Sequence, residues 1–390
     1  MRRGKLRFLD YWLFVPYILL CMIGLVMVYS ASSDIAVQNG GTPTGYLIKQ
    51  GIYVVLGLIA LIWMTAMNID KWRHPIMLKS FFWIVVAMLV FVLIAGQSVN
   101  GAKGWINLGF MSIQPAEICK LLLILYLSDV FSKHQSTMSH GLRASVHEID
   151  IFKMYIWVVV LIGLIVLQPD TGGAAINLSI VFVIVLASGI NWKWGAGLLV
   201  TGTASLMIVL GPIASHIASS GSKGSYRLAR FVAFANPFGT AKGAGNQLVN
   251  SYYAISHGGL FGVGLGNSIQ KMGYLPEPNT DFILAIIAEE MGALFVMLIL
   301  FLLGIIVVRT VWIGVRCQKT YESLICYGVA TFFGIETFFN VGGVTGLVPI
   351  TGVTFPFISY GGSSMLVLCA SLGLVINISS QQKRSKMVDY

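Results

Sequence analysis

Charge is what this sequence most lacks. Only 10% of its 390 residues are Asp, Glu, Lys or Arg, against roughly 25% in an ordinary soluble domain. That shortage excludes both a solvated globular surface and a charge-rich disordered chain. Cysteine is sparse too: Cys21, Cys119, Cys317, Cys326 and Cys369 are isolated, odd in number and mostly inside apolar runs. Without a CxxC pair or a His/Cys metal spacing, disulfide scaffolds and zinc modules are set aside. The run "GGLFGVGLG" lacks the flanking strand and helix of a dinucleotide-binding turn, which excludes that class.

What is present is hydrocarbon. Hydrophobic residues make up 56% of the chain, in recurrent runs of about 18 or more, the length of a membrane-spanning helix. Ten spans are expected, near 11–30, 46–67, 80–97, 113–131, 151–167, 172–189, 192–216, 281–308, 322–347 and 357–379. The connections are too short for soluble domains, so the expectation is one all-α polytopic membrane domain over residues 1–390.

Charge placement orients it. The two termini and the segments near 68–79, 132–153, 190–193 and 309–321 hold 17 of the 25 Lys and Arg residues. Lys and Arg accumulate on the cytoplasmic side, which puts both termini there. The net charge of +10 then reports topology and argues against a nucleic-acid partner. The first span follows "MRRGKLRFLD" but has a long apolar region and no clear cleavage site, so it is read as retained. Segment 217–280, between spans seven and eight, is longer than ordinary connections. Its "YRLARFVAF" and "SYYAISHGGLFGVG" stretches are aromatic and apolar, and are expected to pack on the outer face.

Ionisable side chains at membrane depth are costly and mark function. Glu117 and Lys120 stand three apart, on one helical face, as an ion pair between helices or as the lining of a polar cavity. Asp170 in "QPDTGG" suits a helix cap, with substrate or metal contact as the alternative. Lys223, Arg227, Arg230, Lys242 and Lys271 lie in the long loop. They are either solvated or form a site for an anion such as pyrophosphate, where Arg forks suit phosphate.

The stretch "LPEPNTDFILAIIAEEMG" is the most unusual. Pro276 and Pro278 keep Glu277 out of a helix, free to fold over Asp281 at the start of span eight. Glu289 is eight residues deeper, about 12 Å along a helix, too far to serve Asp281 as an acid–base partner. Glu289 and Glu290 point about 100° apart, so at least one needs a buried partner from another helix.

The stretches "GWINLGFMSIQPAEICKL", "QPDTGGA", "LPEPNTDFILAIIAEEMG" and "GLVPITGVTFPFISYGGSS", in that order, resemble the SEDS family, the FtsW/RodA/SpoVE group of bacterial cell-wall polymerases. The sequence departs from the commonest pattern in having "QPAE" for "QPSE", "QPDTGGA" for "QPDLGTA", and no Arg before the Trp of "GAKGW", where Lys103 is the substitute. The resemblance implies a ten-helix bundle with a large extracytoplasmic loop between helices seven and eight. It implies an inverting glycosyltransferase that polymerises lipid II at the outer face of the cytoplasmic membrane and releases undecaprenyl diphosphate. Asp281 carries the catalytic expectation, as general base or as a metal holder. Glu117, Lys120, Asp170, Arg227, Arg230, Lys103 and Glu277 are expected around the substrate and its pyrophosphate. The resemblance also implies Mg²⁺ or Mn²⁺, a class B penicillin-binding protein as transpeptidase partner, and other division or elongation proteins. The last motif is closer to the division-type branch of Gram-positive bacteria than to the RodA branch. An elongation-type polymerase and a lipid II flippase are the alternatives.

Overall fold

The computed structural model describes residues 8–38, 40–99, 102–109, 111–135, 149–189, 226–243 and 245–388. It is mostly helical. Helices α1 (Tyr11–Gln38), α2 (Pro43–Ala66), α3 (Pro75–Ala95), α4 (Pro115–Lys133), α5 (Ile149–Leu167) and α6 (Thr171–Ala187) follow the expected spans. So do α9 (Ile283–Val315), α10 (Thr320–Thr345) and α11 (Gly362–Val388), while the span expected at 192–216 lies outside the described residues. Among the described helices, six are long and apolar enough to cross a membrane, and the apolar parts of α5 and α6 are shorter. The protein is a multi-pass membrane protein.

Starts are written locally. Proline opens α2, α3 and α4, where its missing N–H costs nothing and its fixed φ suits a helix. Asp170 caps α6, accepting from Gly173 N at 2.7 Å. Packing then orders the bundle: α2 lies along α11, α9 between α1 and α10, and α10 against α4 and α6. The α2–α11 crossing is close because a Cβ on Gly373 would sit 2.6 Å from the Leu61 carbonyl oxygen. Thr65 and Asn377 tie the same pair, with Asn377 Nδ2 donating to Met64 O at 2.8 Å and Met67 O at 2.6 Å. Small residues plus interhelical hydrogen bonds are how helices associate where lipid removes the hydrophobic drive.

Three differences from the sequence expectation have physical causes. Segment 98–112 is not a plain connection: β1 (Gln97–Val99), β2 (Ala102–Asn107) and β3 (Ser112–Ile113) pair antiparallel in that order. The last span starts at Gly362 rather than 357, because Phe357 takes φ 62° in a turn that precedes it. The span expected at 281–308 runs on to Val315 but is broken at Gly292, with φ 81° and ψ 170°.

That break is filled by the long loop. Helix α7 (Tyr226–Ala235) and helix α8 (Asn246–Gly258) fold within it, and α8 packs against α9 and α10. Val263 N and Gly264 N donate to the carbonyls of Glu289 and Glu290 at 3.0 and 2.9 Å, while Ala293 N donates to Gly259 O at 2.9 Å. "GGLFGVG" is thus a backbone splint for a broken membrane helix, satisfying groups that lipid could not.

Candidate functional site

The bundle end opposite the chain termini carries the turn before α9. Glu277 has φ 54°, and the turn folds back so that the Thr280 hydroxyl lies 3.0 Å from Glu277 Oε2 and 3.0 Å from Asp281 Oδ1. One hydroxyl thus stands between two carboxylates, the juxtaposition the prolines suggested. Other elements hold the turn from behind. Asn340 Nδ2 donates to Asp281 O at 2.8 Å and Val353 O at 2.7 Å, Ser359 Oγ to Thr280 O at 2.6 Å, and Tyr360 N to Asn279 O at 2.9 Å.

Asp281 is half-buried. Burial, and then the Glu277 charge, push its carboxyl up to about 6, against the opposing pull of Arg230 and the Thr280 hydrogen bond. A carboxylate titrating there is poised to accept a proton near neutrality. Arg230, on α7, donates Nη1 to Ile350 O at 3.2 Å, which docks that helix beside the same turn. Arg227 lies on α7 three residues earlier, and Lys103 on β2; their side chains are outside the described residues.

A second polar centre lies deeper. Lys120 Nζ is 2.7 Å from Glu117 Oε1 and 3.4 Å from Glu336 Oε1, with Lys120 and Glu336 fully buried. The Phe332 ring centroid is 4.7 Å from the ammonium, a cation–π contact in a dry setting. The expected Glu117–Lys120 pair is therefore present, but it is a triad. Glu336 went unread in the sequence, although its spacing to Asn340 in "GIETFFN" is the same kind of one-face signal. Four residues, about 6 Å of helix rise, separate Glu336 from the Asn340 that holds Asp281, so α10 stacks the two centres. Asp170 acts as a cap and also accepts from Gln114 Nε2 at 2.8 Å, joining the start of α6 to that of α4.

The paired acids Glu289 and Glu290 anchor the loop. Glu289 accepts from His257 Nδ1 at 2.9 Å, from the backbone N–H of Ile269 and Gln270 at 3.1 and 3.3 Å, and from the Ser268 hydroxyl. Glu290 meets Lys271 at 2.8 Å and the Ser30 hydroxyl of α1 at 2.7 Å. Lys271 is buried, which corrects its reading as a base available to an anionic ligand. Neither His257 nor Ser30 carried a sequence signal, since each partner is remote in the chain.

Fold and site define a class: a multi-pass membrane protein with one acidic turn at an end of the bundle and a buried Glu–Lys–Glu centre beneath it. A family model described as "Cell cycle protein", FtsW/RodA/SpoVE, matches residues 11–384, and the chain belongs to that family. It is 40% identical to "Probable peptidoglycan glycosyltransferase FtsW" of Bacillus subtilis, over 99% of this chain and 94% of that protein. The FtsW of Lactococcus lactis is 36% identical, over 99% and 96%. The crystal structure of rod shape determining protein RodA from Thermus thermophilus superposes with TM-score 0.65 at 26% identity, covering 95% and 96% of the two chains. A chain from a peptidoglycan synthase complex that coordinates polymerization and crosslinking superposes with TM-score 0.75 at 24% identity, covering 96% and 98%.

Proposed function

We propose that this protein is a peptidoglycan glycosyltransferase that polymerises lipid II for septal synthesis, with ten spans, both termini cytoplasmic and the Asp281 turn facing outward. The observation that carries the reading is the turn itself: half-buried Asp281 shares the Thr280 hydroxyl with Glu277 and is fixed by its backbone to Asn340. In the reaction the 4-hydroxyl of the incoming disaccharide gives its proton to Asp281. Its oxygen bonds the anomeric carbon of the growing strand, the bond from that carbon to the carrier phosphate breaks, and undecaprenyl diphosphate leaves with inversion. A positioned base contributes roughly 10²–10⁴-fold. Arg230, with Arg227 on the same helix, supplies positive charge for the departing pyrophosphate.

A divalent cation fits the same turn. Among the described residues no group of three or more His, Cys, Asp or Glu could hold a metal. Glu277 is instead the single-carboxylate type of foothold that substrate phosphates complete, and Asp281 as a metal holder is the alternative to Asp281 as base. Bound there, Mg²⁺ or Mn²⁺ would neutralise the leaving pyrophosphate. A class B penicillin-binding protein is the proposed partner, because the synthase complex whose chain shares this fold joins polymerization to crosslinking.

The test is reconstitution of the full chain with its transpeptidase partner, lipid II and Mg²⁺, wild type against Asp281→Asn. Glycan strands from wild type alone support the reading. Polymer from the variant removes Asp281 from the chemistry. Movement of lipid II across the bilayer without polymer replaces the polymerase by a flippase, an alternative to which the buried Glu117–Lys120–Glu336 triad would lend itself.

A further inference from the structure

At the end of the bundle that carries the chain termini, a lipid-facing groove of about 540 Å³ runs between α1 and α9. That volume is in the range of small-molecule sites. Trp12, Phe301, Gly304, Val308, Arg309 and Trp312 line it. A Cβ on Gly304 would find nothing within 4 Å, so the groove is notched at its middle. Phe301 and Trp312 are eleven residues apart, about 16 Å along the helix. That is half of a hydrocarbon core about 30 Å thick, the depth of one leaflet. The exposed apolar face of α9 continues past Phe301 through Leu298, Met297 and Leu294, so length alone would also admit a partner's membrane helix, and the charge at the mouth is what selects a lipid.

The mouth of the groove is basic. Arg309 pairs with buried Asp10 at 2.8 Å, and Lys383 of α11 lies 3.5 Å from the same carboxylate oxygen. Arg316 stacks its guanidinium 4.2 Å from the Trp312 ring centroid. Gln382 Nε2 donates to Ile313 O at 3.1 Å, which keeps Lys383 and Arg384 at the same end. Two basic side chains, Arg309 and Lys383, therefore meet the single carboxylate of Asp10, Arg316 adds a further charge beside Trp312, and Glu322 is matched by its own Lys319 at 3.4 Å. Tryptophan beside Arg at one level is the pattern of a headgroup boundary, and basic pockets between membrane helices on the cytoplasmic side take anionic headgroups.

We propose that this groove is a binding site for one anionic phospholipid, its phosphate on Arg316 and the Arg309–Lys383 cluster and one acyl chain in the notch at Gly304. Asp10, Arg309 and Lys383 tie α1, α9 and α11 together, so the bound lipid braces the end of the bundle opposite the acidic turn. This inference does not depend on the polymerase reading.

The test uses the full chain in nanodiscs of phosphatidylglycerol and phosphatidylcholine, released into the gas phase for native mass spectrometry. Wild type is compared with Arg316→Gln, which leaves the Asp10 cluster intact, and Gly304→Phe, which fills the notch. Wild type should hold one phosphatidylglycerol at least tenfold better than phosphatidylcholine, with each variant losing that preference. Brominated phosphatidylglycerol should quench tryptophan fluorescence more in wild type than in Gly304→Phe. Equal retention of both lipids, or unchanged retention in both variants, overturns the proposal. So does disulfide capture of the transpeptidase's membrane helix, or of a second copy, by a Gly304→Cys variant in the same nanodiscs.

Discussion

Lys271 Nζ lies 2.8 Å from Glu290 Oε1, both side chains buried, with the Ser30 hydroxyl of α1 within 3.0 Å of the ammonium. This contact joins the long loop, the broken span and the first span at one point. Removing one partner of a buried pair leaves an uncompensated charge and costs about 3–5 kcal/mol, whereas replacing both with apolar side chains is often neutral. Lys271→Met and Glu290→Leu should each lower the thermal unfolding midpoint of the purified protein sharply, and the double variant should recover most of the loss. A double variant as unstable as the worse single would show that Ser30 and the loop backbone, rather than the charges, set the stability.

Asp281 titrates at about 6 because burial and Glu277 disfavour its charged form. Below that pH it already holds a proton and cannot take the one from the acceptor hydroxyl. Polymer formation under saturating lipid II should therefore fall as pH drops through about 6 and level off above it. Glu277→Gln removes a like charge, so the inflection should move to lower pH. An inflection that stays in place would mean that Glu277 does not reach Asp281 electrostatically.

Lys120 faces two carboxylates, Glu117 and Glu336. The triad predicts an asymmetry. Glu336→Gln leaves a balanced pair and should accumulate in membranes close to the wild-type level. Lys120→Met strands two acids in an apolar bundle and should accumulate several-fold less. Similar losses from both would argue that Glu336 has an independent structural partner.

Gly292 occupies a backbone region, φ 81° and ψ 170°, that is essentially reserved for glycine and costs other residues about 1–3 kcal/mol. A Cβ there would also press on the backbone of Leu260 and Gly262. Gly292→Ala should destabilise the purified protein more than Gly304→Ala, measured as unfolding midpoints in the same detergent. Equal effects would place the strain elsewhere.

Chelation separates two possible roles for the acidic turn. With excess EDTA, polymer formation should stop and resume on adding Mg²⁺, and Glu277→Gln should raise the Mg²⁺ needed for half-maximal rate several-fold. An unchanged requirement in that variant would remove Glu277 from the cation site.

Hydropathy made the helices legible because lipid imposes length and composition on every span, as in α1, α3 and α9. It gave their ends only roughly: Phe355, Phe357 and Ile358 draw the apolar run outward past a turn that Pro356 and the Gly361–Gly362 pair mark locally. Proline spacing exposed the Glu277–Asp281 juxtaposition, and three-residue spacing exposed Glu117–Lys120, because both are local. Glu336 joins Lys120 across 216 residues of chain, and His257 reaches Glu289 across 32. Such pairings are set by packing, and single-sequence periodicity carries no trace of them. The break at Gly292 was hidden for another reason, since a lone glycine in an apolar helix is common and its φ is decided by the loop that fills the gap.

The break also has a mechanical meaning. Ile283–Met291 and Ala293–Val315 are two rods, and the loop backbone bonds to both sides of the break, to the carbonyls of Glu289 and Glu290 and to the N–H of Ala293. A bending load on the span therefore meets a hydrogen-bonded joint at Gly292 rather than a bare hinge. Asp281, two residues before the first rod, is held between that joint and Asn340 of α10.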